Sequence, residues 1–390
     1  MKKLLISMLV LCLFLPACSN HKTGSSSARQ GKKIFTKKDL KAPFKGRNVT
    51  LKKDYIIGKD TSNALLENNA GFAVDDTGHI FYANWQSRTI DEFSGDSLVQ
   101  QMGRKGKGPG EFQYIEGICV RGHKLYVMDG GLLRISVFDT RRGKLSKTIN
   151  LKKLSSPTKH GAMPGGINVT YGNQPEFILD YTIPYSPGTS DIKRTQKFVL
   201  MNASGKVLKN PVIKVPADQR YVNDTGSSIM VGPMPFGRKA VVRLSPDNHF
   251  YYGWTDSLAI QVYAMDGTLK GTIRHPVKKQ KVTHTDIDTV LNRFGKNYRK
   301  QLRNAHFAKT FPAFENLLID SGGRLWVKTH TTDMSVVQWL ILNKKGKKEG
   351  SVYLPADLSV KKIRHGYLYA TRNASNGVPL IVRYKINSSF

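Results

Sequence analysis

Short apolar runs separated by tight polar turns recur along most of this chain. The stretch from Gly71 to Phe112 shows the unit: three apolar runs are divided by turns that contain glycine or aspartate, and a fourth run leads into a glycine-rich loop. Runs of this length with such turns are typical of antiparallel strands joined by hairpins. The chain is therefore predicted to be all-β.

The first turn of this unit occurs six times, and an aromatic or apolar strand follows each copy. Two pairs of turn glycines, Gly78 with Gly122 and Gly322 with Gly366, lie 44 residues apart. The turns lie at 76–79, 121–124, 171–174, 246–249, 321–324 and 364–367. Four strands repeated at this period are typical of a propeller blade. We therefore predict a six-bladed β-propeller of four-stranded antiparallel blades over residues 47–390.

The last unit has only three predicted strands before the chain ends. A three-stranded blade would leave an unpaired sheet edge. The segment from Asn48 to Ile57 is a predicted strand that belongs to no unit. We predict that this N-terminal strand completes the last blade and closes the ring.

The pattern resembles the six-bladed β-propeller lipoproteins of Gram-negative gut bacteria, which are relatives of NHL and TolB-type propellers. The most specific part of the resemblance is the segment Gly103 to Phe112, with its Gly-Pro-Gly-Glu-Phe core. The resemblance spans residues 47–390 and implies the same fold.

The N-terminus has the organisation of an export signal. Lys2 and Lys3 precede an apolar stretch at 4–15 that is short for a membrane span. Leu15-Pro16-Ala17-Cys18 then resembles the lipobox of bacterial lipoproteins. We predict a signal peptide at 1–17, a lipidated Cys18 and a basic tether at 18–46. The alternative is an ordinary secretory signal with a chance cysteine.

The residues after the cysteine refine the predicted location of the protein in the cell envelope. By the same resemblance, an aspartate after the cysteine would retain the protein in the inner membrane. Ser19 therefore favours the outer membrane, and the following residues lack the acidic cluster of a surface-export signal. The periplasmic face is favoured over the cell surface.

The charge balance favours anionic partners. The chain has 61 Lys and Arg against 28 Asp and Glu, a formal net charge of +33. Such a field attracts anionic lipid, glycan or nucleic acid, although a solvated basic surface is the simpler interpretation. Nucleic acid is not expected as a partner, because the protein is predicted to be exported.

The connections between predicted strands are of two kinds. One end of the ring carries short, uniform turns, whereas the other carries long and varied loops at 84–88, 181–193, 218–237 and 275–312. Variable loops on a rigid scaffold often carry function. We call this second end the loop face and place the candidate sites there.

The longest loop, 275–312, contains a predicted helix between blades four and five. Thr285 and Asp288 suggest its N-terminal cap, and we expect a lid that packs an apolar stripe on the propeller. The stripe comprises Ile287, Leu291, Phe294, Tyr298 and Leu302. Basic residues on its other side could contact an anionic surface.

Two carboxylates lie where inner strands begin, in blades two and five. Glu116 and Glu315 could face one another across the central opening of the propeller. They could either hold a metal through oxygen ligands or perform acid–base chemistry. Glu315 next to Asn316 resembles the calcium site of gluconolactonase-type propellers. The simpler interpretation is that Arg and Lys side chains neutralise both carboxylates.

Further candidate binding residues lie on the loop face. Trp85, Trp254 and His330 follow second strands, where exposed aromatic rings would suit sugars or peptides, although core packing would explain them equally well. Arg104 and Lys107 lie in the glycine-rich loop and could contact an anionic or glycan component of the envelope.

The motifs leave two classes of function. No nucleophile elbow, phosphate loop or His-Glu zinc motif is present. We therefore expect a non-catalytic lipoprotein without a cofactor, which acts as a binding or scaffolding module for an anionic envelope component, a glycan or a protein partner. The alternative is a metal-dependent hydrolase or lactonase-like enzyme, with calcium as the candidate metal.

Overall fold

The computed structural model describes residues 41–58, 66–152, 163–172, 174–190, 193–303 and 305–390. Within these residues, six antiparallel sheets of four or five strands form the blades of a six-bladed β-propeller, which confirms the predicted fold. The first strand of each blade lines a central cavity.

Two strands precede the first three blades. They are β1 (Phe44–Lys45) and β2 (Val49–Ile57). Blade one contains β3 (Asn69–Val74), β4 (Ile80–Asn84), β5 (Ile90–Ser94) and β6 (Ser97–Met102). Blade two contains β7 (Ile115–Arg121), β8 (Lys124–Asp129), β9 (Arg134–Asp139) and β10 (Lys144–Asn150). Blade three contains β11 (Met163–Val169), β12 (Phe177–Thr182), β13 (Thr195–Met201) and β14 (Val207–Pro216).

A hairpin and two helices interrupt the remaining blades. The hairpin is β15 (Arg220–Asp224) with β16 (Ile229–Pro233). Blade four contains β17 (Ala240–Leu244), β18 (Phe250–Trp254), β19 (Ala259–Tyr263) and β20 (Leu269–Arg274), and the helices are α1 (His284–Leu291) and α2 (Lys296–Leu302). Blade five contains β21 (Asn316–Ile319), β22 (Leu325–His330), β23 (Val336–Leu342) and β24 (Lys348–Pro355). Blade six contains β25 (Ser359–Arg364), β26 (Tyr367–Asn373) and β27 (Pro379–Ser388).

Burial within a blade depends on the distance from the axis. The second strands pack on both faces, because each blade lies between two neighbours, and all five residues of β4 are buried. The outer strands β6 and β10 are mostly exposed. Burial of apolar side chains between blades is therefore the main stabilising contribution to the ring.

The N-terminal strand closes the ring as predicted. β2 pairs antiparallel with β27, from Val49 opposite Ser388 to Ile57 opposite Ile381. Val49 and Ile57 are buried, and Leu51 between them has no exposed surface. β1 adds a fifth, outermost strand to this sheet. The edge that three strands would have left open is thereby covered.

One predicted loop contains regular structure. The segment 218–237 folds into the β15–β16 hairpin, in which Asp224 opposes Ile229 across the turn. Asp224 accepts hydrogen bonds from the backbone N–H groups of Gly188 and Gly226, at 3.0 Å each. These bonds hold the pKa of the Asp224 carboxyl below its usual value.

The helical insertion forms a compact unit of its own, whose described residues are 283–303 and 305–306. It contains two short helices rather than the predicted single helix, because Asn292 ends α1 and Gly295 begins α2. The cap also differs from the prediction: Thr283 and Asp286 form a reciprocal capping box, two residues before Thr285 and Asp288. Neither helix among the described residues is long and apolar enough to cross a bilayer.

Candidate functional site

The inner strands of all six blades enclose a central cavity of about 330 Å³. We call this cavity the channel. Its described lining includes no aspartate or glutamate. It does include four cationic side chains, those of Arg121, Arg243, Lys361 and Lys362. The charged side chains that line the channel are therefore all cationic.

Backbone carbonyls of the next blade hold the two arginines in place. Arg121 ends β7 and donates from Nε to the carbonyl of Val169, at 3.1 Å. Arg243 donates from Nε to the carbonyl of Leu317, at 2.8 Å, and from Nη2 to the side-chain oxygen of Asn316, at 2.7 Å. Burial lowers the pKa of Arg243. Neither guanidinium is paired with a carboxylate among the described residues.

Two adjacent lysines project from blade six. The pairing of β25 with β26 shifts between Val360 and Lys362, which leaves Lys361 as the extra residue of a β-bulge. Side chains of a regular strand alternate between faces, so this bulge explains how consecutive lysines both line the channel. Burial, with Arg121 and Arg364 nearby, lowers the pKa of Lys362 to about 8.

Asn316 lines the channel, but its side-chain oxygen is already engaged. The oxygen accepts the Arg243 bond and a second bond from the backbone N–H of Leu317, at 2.9 Å. A guanidinium beside this oxygen repels any cation that would bind there. This environment suits an anion better than calcium.

Glu315 lies in a neutralised cluster outside the channel lining. Its carboxylate lies 2.5 Å from Lys328 Nζ and 3.2 Å from His330 Nε2. Burial works to raise the pKa of Glu315, but the charges of Lys328 and His330 outweigh it and hold the pKa below its usual value. The His330 ring also lies 4.7 Å from the Phe311 ring, centroid to centroid. We call Glu315, Lys328 and His330 the blade-five cluster.

Glu116 has no such basic partner among the residues that the structure describes. Burial first, then the nearby carboxyls of Asp180 and Asp129, raises the pKa of Glu116 to about 7. Asp129 is itself fully buried and accepts bonds from backbone N–H groups, including those of Gln113 and Gly131. The expected neutralisation by Arg or Lys therefore describes Glu315 but not Glu116.

The two carboxylates lie in separate surroundings, and neither lines the channel. Across the described ranges, no group of three or more His, Cys, Asp or Glu side chains is arranged to hold a metal ion. The metal or acid–base role of Glu116 and Glu315 stays a prediction.

The glycine-rich loop between β6 and β7 is built around two anchors. Phe112 is fully buried, and a Cβ at Gly103, whose φ is +74°, would collide with its ring. Glu111 binds Arg104 Nε at 2.8 Å and the backbone N–H of Gly108 at 2.8 Å. Arg104 is therefore held by an ion pair within the loop.

Blade two holds the backbone of this loop through hydrogen bonds, and two of the loop's lysines remain exposed. Arg134, at the start of β9, donates to the carbonyls of Lys107 and Glu111, at 3.3 and 2.8 Å. The side chains of Lys105 and Lys107 are exposed, and neither makes an ion pair with any described residue. The loop thus presents two free ammonium groups on a fixed backbone.

The two tryptophans differ in their surroundings. Trp85 lies between Arg88, whose guanidinium carbon is 4.5 Å from the ring centroid, and Tyr114, whose ring packs edge-on at 4.9 Å. Much of its predicted stacking surface is already covered. Trp254 ends β18 opposite Ala240 and is half-buried.

Cys18 lies outside the described residues, as do the signal peptide and most of the tether. The predicted lipid attachment therefore stays a prediction.

The structure reveals one group of side chains that sequence reasoning missed. The four channel cations come from blades two, four and six, and no local motif joins them. A signal was nevertheless present, because Arg243, Lys361 and Lys362 come just before the recurring first turn of their units, and Arg121 begins that turn in blade two. Charged residues there are unusual, since inner strands have little solvent to face.

Comparison with known proteins shows the fold. No protein family model matches the chain, and no curated protein matches it. A DUF4221 family member from Bacteroides vulgatus is similar in structure, with a TM-score of 0.54 and 11% identity over 88% of this chain and 100% of the other. A Bacteroides fragilis protein described as exported has a TM-score of 0.50 and 11% identity over 88% and 96%. At such identities, these likenesses establish the propeller architecture alone.

Proposed function

We propose that this protein is an exported, non-catalytic binding module of the cell envelope. In this proposal, Cys18 anchors it to the outer membrane on the periplasmic side, and its loop face contacts a polyanionic or glycan-rich envelope component. The N-terminal signal pattern supports export, as does the fold shared with a Bacteroides fragilis protein described as exported. Replacement of Cys18 by Ser should release the protein from the membrane or leave its signal uncleaved.

The observation that carries the proposal is the Gly103–Phe112 loop. Phe112 and Arg134 fix its backbone, so Lys105 and Lys107 are presented without the cost of ordering a flexible segment on binding. Exposed ammonium groups contribute to binding mainly through long-range attraction, which salt screens. The proposal therefore expects binding that weakens as salt is raised.

A glycan and anionic-lipid array at two salt concentrations tests this proposal. Lys107→Glu should reduce binding, and the reduction should be larger at low salt. Lys270→Glu is the matched control, because Lys270 is exposed near the start of β20 in blade four and lies outside the loop. Binding that changes neither with salt nor with Lys107→Glu would show that the loop is not the binding site. Absence of binding to every envelope component would favour a protein partner.

One observation favours the enzymatic alternative. A carboxyl group with a pKa of about 7, as at Glu116, can act as an acid or a base near neutral pH. A metal-dependent hydrolase would contain stoichiometric metal that is lost on Glu315→Gln. Metal analysis of the purified protein therefore separates the two functions. Calcium bound in stoichiometric amount, and lost in that variant, would overturn the non-catalytic proposal.

A further inference from the structure

The channel gathers cations that have no counter-charge among the described residues. Some buried or half-buried cations elsewhere in the propeller do face carboxylates: Arg238 binds Asp256 at 2.9 Å and Arg383 binds Asp54 at 2.6 Å. The channel gathers four cations, and no carboxylate among the described residues pairs with them. The side chains of Lys361 and Lys362 make no hydrogen bond or ion pair within the part of the chain that the structure describes.

We propose that the channel is a binding site for a small dianionic oxyanion group, a phosphate or sulfate, held by Arg121, Arg243, Lys361 and Lys362. This site is separate from the loop face and goes beyond the proposed envelope contact. It assigns the protein a small-molecule ligand in addition to a polymeric one.

The free donors match an oxyanion with several acceptor oxygens. Each lysine ammonium carries three N–H donors with no described protein acceptor. Arg121 uses Nε and Nη1 on backbone carbonyls, which leaves its Nη2 donors free. Its guanidinium is also held 3.8 Å from the centroid of the Tyr171 ring. Fixed donors of this kind bind phosphate without losing further side-chain freedom.

The size and lining of the channel suggest what is attached to the oxyanion. A cavity of about 330 Å³ is larger than a bare phosphate needs and lies at the small end of ligand pockets. Apolar side chains line part of it, including those of Ile118, Ile167 and Val360. A small phosphate or sulfate ester would therefore place its charge on the basic residues and its carbon skeleton on these side chains.

The electrostatics of the channel support an anionic occupant. Grouping like charges away from water is costly. The cost is visible at Lys362, whose pKa is lowered to about 8 by burial and by three surrounding arginines. These are Arg121 on β7, Arg243 on β17 and Arg364 on β25. An anion would offset this repulsion, and its attraction to the cations is only weakly screened in a partly desolvated channel.

Calorimetric titration of the purified protein tests the proposal, with sulfate as the probe and chloride as the background at constant ionic strength. One sulfate should bind per chain and should raise the melting temperature. Lys362→Met should weaken binding by at least about tenfold, since a charge-assisted bond is lost. Lys385→Met is the matched control, because Lys385 is exposed on β27 of the same blade. It should bind sulfate as the parent does.

Two further arms define the ligand and separate the proposals. Glycerol phosphate should bind more tightly than sulfate, and succinate more weakly, if the site prefers a phosphate ester. Lys107→Glu should leave sulfate binding unchanged, whereas Lys362→Met should leave polyanion binding by the loop face unchanged. Failure of one proposal therefore does not imply failure of the other.

Three results would overturn the channel site. They are a parent protein that does not distinguish sulfate from chloride, sulfate binding that survives both Lys362→Met and Lys361→Gln, and several weak sites per chain. Lys361→Gln is the second variant because it keeps a polar side chain at the bulge, so that a folding defect in one variant does not decide the test.

Discussion

The blade-five cluster and the channel differ in whether their cations have a carboxylate partner. In the cluster, Glu315 lies within 2.5 Å of Lys328 and 3.2 Å of His330, so the charges are compensated inside the protein. In the channel, Arg121 and Lys362 are among four cations that no described carboxylate compensates. Both groups lie near the inner strands of the same ring, so a general excess of basic residues does not explain the contrast.

This difference indicates which group has a structural role and which is available to a ligand. A compensated group needs nothing further, and removing one member leaves the others unpaired. An uncompensated group destabilises the empty protein, and an anion that binds there stabilises the folded state. Substitutions in the two places should therefore change stability in opposite directions.

Opening the ring should cause the largest loss of stability, because both groups depend on the closed propeller. Deletion of Asn48–Ile57 removes β2 and with it three side chains that are at most 3% exposed, those of Val49, Leu51 and Ile57. Each such side chain stabilises by about 1.5–3 kcal/mol, so the total approaches the whole stability of a typical domain. We expect loss of cooperative thermal unfolding, measured by circular dichroism. A deletion variant that melts as high and as cooperatively as the parent would contradict ring closure by β2.

Glu315→Gln should destabilise the protein by about 2 kcal/mol at pH 7, measured by urea unfolding. The change leaves Lys328 without a counter-charge, whereas burial holds the pKa of His330 below its usual 6.5, so this ring is neutral at pH 7. The value lies below that for a fully buried pair because Glu315 is 31% exposed. The exposed pair of Asp357 and Arg372 supplies the control: Asp357→Asn should cost less than about 1 kcal/mol. Equal losses in both variants would show that the cluster contributes no more than a surface pair.

The same variant should change the response to acid. The pKa of Glu315 in the folded protein lies below its usual 4.5. Its stabilisation is therefore fully present above pH 4.5 and is lost as the pH falls through the folded value. Glu315→Gln should remove this part of the acid sensitivity, so the two stability curves should converge at low pH.

Lys362→Met should stabilise the empty protein by about 2 kcal/mol at pH 7, since the pKa of Lys362 falls from 10.5 to about 8 on folding. The penalty is fully present below pH 8. Between pH 8 and 10.5 the unfolded chain binds more protons, so the parent gains stability as the pH rises and the difference disappears. Urea unfolding at pH 7 and 10 measures this change. A difference that does not depend on pH would mean that lysine charge is not its source.

The fold could be predicted from the sequence because its signals are local. Glycine and aspartate turns such as Asp76-Thr77-Gly78 mark hairpins one blade at a time, and a missing strand in the last blade indicates a closing strand elsewhere. The β15–β16 hairpin carries the same signal, since Asp224-Thr225-Gly226 repeats that turn. Its strands lie outside the blade period, and the segment was therefore predicted to be a loop.

The channel could not be predicted in the same way, because it depends on how distant strands come together. Arg121 and Lys362 are separated by most of the chain, and only the closed ring brings them to one cavity. A bulge also changes which side chains face inward, as at Lys361, and bulges leave little trace in a hydrophobic pattern. Sequence reasoning instead selected Glu116 and Glu315, because carboxylates suggest chemistry, whereas the charge balance around them is set by tertiary contacts.

One measurement tests the central claim, that the channel cations are uncompensated until an anion binds. It is the difference in unfolding free energy between Lys362→Met and the parent, determined by urea unfolding at pH 7 in chloride and then in sulfate at equal ionic strength. General effects of sulfate act on both proteins and cancel in the difference. We expect the variant to be the more stable protein in chloride, and its advantage to shrink or reverse in sulfate, which binds the folded parent. The same difference in both salts would contradict the claim.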